Sequence, residues 1–112
     1  MAITLEQVRR QLEPDEPNYG EAARMGVEAL PHLLVLVRGS DAMLASKAAY
    51  LAGIIDADLS VDVLVAAAES SIPEVRIASA AAVRHLKRVS SGEVIRRLEK
   101  LSDPGIQKLL KR

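Results

Sequence analysis

Cysteine, tryptophan and phenylalanine are all missing from this chain of 112 residues, and its aromatic content is two tyrosines, Tyr19 and Tyr50. Without cysteine there is no disulfide framework, no thiol nucleophile and no thiolate zinc site, so packing alone must hold the fold; a reducing compartment fits. So few aromatic residues argue against a sheet, whose pleated, half-buried surface favours aromatic and β-branched side chains. Long apolar runs are missing too. The longest, Val63 to Ala68, is six residues, against the roughly 20 that span a bilayer. The opening MAITLEQVRR puts Glu6, Arg9 and Arg10 where a secretory leader needs an unbroken apolar segment. A cytoplasmic chain that neither crosses a membrane nor is exported is expected.

What is present is alanine and leucine in quantity, with 49% hydrophobic and 27% charged residues. That balance predicts one ordered domain of closely packed helices, not a disordered chain. A shift of 31 residues brings three turns into line: Asp41-Ala42-Met43-Leu44, Ile72-Pro73-Glu74-Val75 and Asp103-Pro104-Gly105-Ile106. The same shift superposes the preceding helices, with Leu33, Leu64 and Ile95 in one apolar column and Leu36, Ala67 and Leu98 in another. After the turns, Leu44, Ala48, Leu51 and Ile55 fall beside Val75, Ser79, Ala82 and Leu86. A fixed period of this kind signals repeated helical hairpins, each burying its apolar face against its neighbours. Asp41, Ser71 and Asp103 stand where a side-chain oxygen can accept an unpaired N–H at a helix start. Thr4 with Gln7, Asn18 with Glu21, Ser71 with Glu74 and Ser90 with Glu93 have capping-box spacing.

Residues 26–34 (GVEALPHLL), residues 72–80 (IPEVRIASA) and Leu51-Ala52-Gly53 resemble the HEAT repeat family, in the bacterial HEAT-like form found in phycobilisome lyases. The resemblance covers nearly the whole chain. It implies an all-α fold, a short right-handed α-solenoid of about four stacked hairpins with an armadillo-type superhelical course. The expected single domain, 1–112, divides into a degenerate repeat 1–26, repeats 27–56 and 57–88, and a capping repeat 89–112. In the first unit Leu5, Val8 and Leu12 would line one helix, residues 14–17 the turn, and Ala22, Ala23 and Met25 the next helix. The charged sets Glu6, Arg9, Arg10, Glu13 and Lys108, Lys111, Arg112 read as the polar end caps that such a stack needs, so the whole is expected to be a complete, short curved rod.

The formal net charge is zero, but it is unevenly distributed. Residues 1–83 carry 6 basic and 12 acidic groups, a sum of −6, while residues 84–112 carry 9 basic and 3 acidic groups, a sum of +6. In a stacked array this becomes an acidic body with a basic end. The basic end reads either as a solvated cap that stops further stacking or as a docking surface for an acidic partner. Weak nucleic-acid binding there is a further alternative, opposed by the acidic body and by the lack of aromatic residues between the basic ones.

Enzyme chemistry finds no residues to stand on. His32 and His85 lie in different repeats without partners at metal-ligand spacing, and His32 reads as a surface residue near a helix start. Asp56-Ala57-Asp58 with Asp62 lacks the glycine and terminal glutamate of a calcium loop and reads as a linker feeding the cap Ser60. Phosphate-cradling glycine motifs and the hydrolase elbow are missing. No metal, cofactor or catalytic residue is expected.

The resemblance implies a concave face formed by the second helix of each hairpin. In this chain that face would hold Lys47, Tyr50, Arg76, Ile77, Ala80, Arg84 and then Lys87 or Arg88. Tyr50 is either an exposed contact residue or a packing tyrosine. Ile77 and Ala80 beside Arg84 would form a mixed apolar and basic groove suited to an acidic amphipathic helix or loop. In HEAT-like arrays an arginine at the Arg76 position pairs with the turn aspartate of a neighbouring repeat, here Asp41; Ala45 and Gln107 at the matching positions depart from the pattern. The expected function is a non-enzymatic protein-interaction or scaffold module, monomeric or weakly homodimeric. The alternative is an accessory subunit resembling the bilin lyases, which handle a linear tetrapyrrole.

Overall fold

The computed structural model describes residues 2–86, 91–101 and 104–110, and every regular element among them is helical. In chain order these are α1 (Leu5–Leu12), α2 (Tyr19–Ala23), α3 (Leu30–Val37), α4 (Ala42–Ile55), α5 (Asp58–Ala68), α6 (Pro73–Ala82), α7 (Ser91–Glu99) and α8 (Pro104–Leu110), with 3₁₀ turns at Gly26–Ala29 and Val83–His85.

Local chemistry sets the helix starts. The Thr4 hydroxyl accepts the Gln7 N–H while the Gln7 side chain accepts the Thr4 N–H, a complete capping box at α1. Asn18 accepts the Glu21 N–H at α2 and Asp41 the Leu44 N–H at α4, each at 3.0 Å. At α6 the expected cap is corrected. Ile72, not Ser71, holds the N-cap position, with Pro73 in the first turn, and the hydroxyl engaged there is that of Ser70, which accepts the Ile72 N–H. A proline needs no N–H partner at this position, so the helix begins without a side-chain cap. At α5 Ser60 lies inside the first turn and accepts the Ala57 N–H from there, so it closes the helix start from within instead of preceding it. Ser90 and Asp103 lie outside the described residues.

The ends of α2 and α4 use left-handed backbone. Gly26 has φ +71°, a value side-chain-bearing residues rarely adopt, and redirects the chain after α2. Asp56 has φ 51° at the end of α4, where its N–H returns to the Ala52 carbonyl; aspartate tolerates this conformation better than most residues.

Helices α1, α3, α5 and α7 touch in that order, as do α2, α4, α6 and α8, and from α3 to α8 each helix also packs against the next across the two rows. Most of the expected columns lie between the rows: Leu33, Leu64, Leu36, Ala67 and Leu98 from one side and Ala48, Leu51, Val75, Ser79, Ala82 and Leu86 from the other are buried, whereas Leu44, Ile55 and Ile95 are half-buried, Val94 taking the core position beside Ile95. Small residues let α4 and α6 form the most extensive helix pair among the described elements. The Ser79 hydroxyl, buried in that core, donates to the Leu64 carbonyl at 2.9 Å and so ties α6 to α5. The expected rod is a compact ellipsoid of 40 × 28 × 20 Å, because this few helices stack to a length only about twice the molecule's thickness.

Candidate interaction surface

The 31-residue period places residues of α4 beside their counterparts on α6: Met43 with Glu74, Ser46 with Ile77, Lys47 with Ala78, Tyr50 with Ala81. On this surface the large apolar side chains stay exposed, Met43 at 64% and Ile77 at 38%. Next to Met43 lies a shallow groove of about 380 Å³, lined by Ala42, Met43, Ser46, Lys47 and Glu74. Lys47 and Glu74, of opposite charge, are among its lining residues, and Met43 and Ala42 give it apolar character.

Tyr50 is half-buried and is the middle member of an aromatic row. Its ring lies edge-on to Tyr19, with centroids 4.8 Å apart, and to His85, with centroids 5.1 Å apart. Its hydroxyl is 3.1 Å from His85 Nε2. Such edge-to-face pairs hold rings in defined orientations. Tyr19 and Tyr50 are separated by one period, since 50 − 19 = 31, while His85 lies out of register, one helical turn beyond the next equivalent position, Ala81. Burial and the neighbouring Tyr50 push the Tyr19 phenol above its ordinary value.

The other residues expected on this face divide. Lys47 is half-buried and donates from Nζ to the Pro14 carbonyl at 2.8 Å, so it clips the first interhelical turn onto α4. Arg76 is half-buried, and its Nη1 donates to the Ser70 carbonyl at 2.9 Å, bracing the turn that precedes its own helix. The Asp41 carboxylate is found capping α4. Arg84 is exposed on the 3₁₀ turn after α6, and among the described residues it forms no ion pair. Ala80 is a correction. It is 2% exposed, because it is the counterpart of Ala49, which points into the core on α4. Lys87 and Arg88 lie outside the described residues.

The basic end is partly neutralised. Arg97 pairs with Glu69 of α5 and lies 3.5 Å from Glu93, while Arg96 is 2.6 Å from Glu93. The two arginines, Arg96 first, hold the Glu93 carboxyl below its ordinary value. His32 is also corrected: it is half-buried, and its Nε2 is 2.8 Å from the Ile3 carbonyl, an oxygen that can only accept, so Nε2 carries the proton. His32 thus fastens the residues before α1 to α3. Among the described residues no group of three or more His, Asp or Glu side chains converges on a possible metal position, and no helix is long and apolar enough to cross a membrane.

No protein-family model, no curated protein sequence and no solved structure matches this chain.

Proposed function

We propose that the chain is a non-enzymatic protein-interaction module, a short right-handed α-solenoid of about four HEAT-like hairpins that binds a partner protein through its α2–α4–α6 face and the adjoining basic residues. The solenoid part is supported by the two rows of helices, each touching in sequence order. The binding part rests on one combination: Met43 and Ile77 are exposed apolar residues of α4 and α6, and seven positions after each, a spacing that returns to the same side of a helix, stand Tyr50 of the Tyr19–Tyr50–His85 row and the exposed cation Arg84. Exposed apolar side chains beside a rigid aromatic and an arginine have the composition of a protein-binding hot spot.

The test is affinity capture with the full chain. Arg84→Glu and Tyr50→Ala are expected to abolish recovery of a partner bound by the parent chain while the helical circular dichroism stays unchanged. Undiminished recovery by both variants would overturn the proposal.

A further inference from the structure

We infer that the segment bound on this face is an acidic amphipathic helix, which seats an apolar side chain in the Met43 groove and, about three turns along, sets a carboxylate against Arg84 and His85. This rests on the protein-binding reading above and names the chemistry of the partner.

At one end of the face the groove of about 380 Å³ beside Met43 has room for one large side chain. Residues of opposite charge, Lys47 and Glu74, line that groove, so it favours neither sign of charge, whereas an apolar side chain buries Met43. Ile77 lies one turn further along α6 than Glu74, and offers a second apolar contact. At the far end the character changes: Arg84 is exposed, His85 is exposed, and Tyr50 turns its hydroxyl to the His85 ring. Glu74 is the acidic residue on the α6 side of the face, and it stands at the groove end, not at Arg84. The positive end therefore selects a carboxylate, by a charge-assisted bond of the kind arginine makes best.

The spacing gives the shape. Seven residues separate Met43 from Tyr50 and seven separate Ile77 from Arg84, which along a helix is about 10.5 Å. A helical partner presents residues i, i+3 or i+4, and i+7 on one face with that same repeat. The matching pattern is two apolar residues one turn apart, the first at the level of Met43 and Glu74 and the second at Ile77, and an acidic residue seven positions beyond the second. Between them the host surface is low, floored by Ser46, Ala78 and Ala81, which leaves a helix room to approach.

The experiment is selection of a random-peptide display library on the immobilised full chain, followed by synthesis of the enriched peptides. Enriched sequences are expected to carry the apolar pair and the acidic residue at this spacing. Their affinity is expected to fall about tenfold on Arg84→Glu and to recover when the peptide's acidic residue is changed to lysine. Met43→Asp is expected to weaken them by a similar factor without restoration by that swap. Enriched peptides that are basic or lack this spacing, yet still lose binding on Met43→Asp, would overturn the acidic-helix inference and leave the protein-binding face standing. Failure of the library to enrich any peptide sensitive to Met43→Asp or Arg84→Glu would remove both.

Discussion

A Cβ placed on Gly53 would stand 2.5 Å from the carbonyl oxygen of Ala82 and 2.9 Å from its Cβ. Backbone therefore touches backbone where α4 crosses α6, and the two helices that carry the candidate surface are held in a fixed relation by the absence of one side chain. Gly53→Ala sets a gain in helix propensity of about 1 kcal/mol against a contact that neither helix can relieve without moving. The clash wins, because the obstructing atoms belong to the α6 backbone. A net destabilisation of about 1–3 kcal/mol is expected, read as a fall in Tm of roughly 5 °C or more, and Gly53→Val is expected to be worse.

The aromatic row makes a graded prediction. Tyr50→Phe keeps both ring contacts and removes only the bond to His85, so a stability change of about 1 kcal/mol or less is expected from an exposed hydrogen bond. Tyr50→Ala removes both edge-to-face contacts and is expected to cost distinctly more, by chemical denaturation at constant m. Equal losses from the two variants would show that the rings contribute nothing beyond the hydroxyl.

The Tyr19 phenol titrates above its ordinary 10.0. A group whose folded pKa exceeds its unfolded value favours its protonated form, so the stability it contributes is present below about pH 10 and lost as pH rises through the folded value. Absorbance titration of the phenolate band is expected to show a late-ionising tyrosine that disappears in Tyr19→Phe. A Tyr19→Phe profile that keeps the late step would place it elsewhere.

Glu93 has the opposite sign. Its carboxyl is depressed by Arg96 and Arg97, so the interaction is present above the ordinary carboxylate range and is lost as pH falls through the depressed value. Because the group is exposed, the effect is expected to be small and salt-screened. Glu93→Gln is expected to shift the acid limb of the thermal-stability profile at low ionic strength, and a parent and variant that coincide there would contradict the pairing.

Much of this architecture was legible because a 31-residue period forces equivalent residues to equivalent places. Leu33 and Leu64, or Leu51 and Ala82, could be called core before any coordinates. At the site the same period sets Tyr19 one repeat from Tyr50 and gives Ala80 the buried position of Ala49, which corrects the expectation of Ala80 at the surface. The helix starts were harder to read for a different reason. Ser70, Ser71, Ile72 and Pro73 offer competing caps, and the proline's missing N–H shifts the boundary by one residue. His85 could not be tied to Tyr50 from sequence alone, because their contact crosses between repeats one turn out of register.

The central claim, that the α4–α6 face binds a partner protein, is tested most directly by quantitative affinity capture comparing the parent chain with Arg84→Glu and with Arg38→Glu, an exposed charge reversal on α3's own row. A saturable partner is expected to be retained by Arg38→Glu and lost by Arg84→Glu, with all three chains equally helical. Equal recovery by Arg84→Glu and the parent would contradict it.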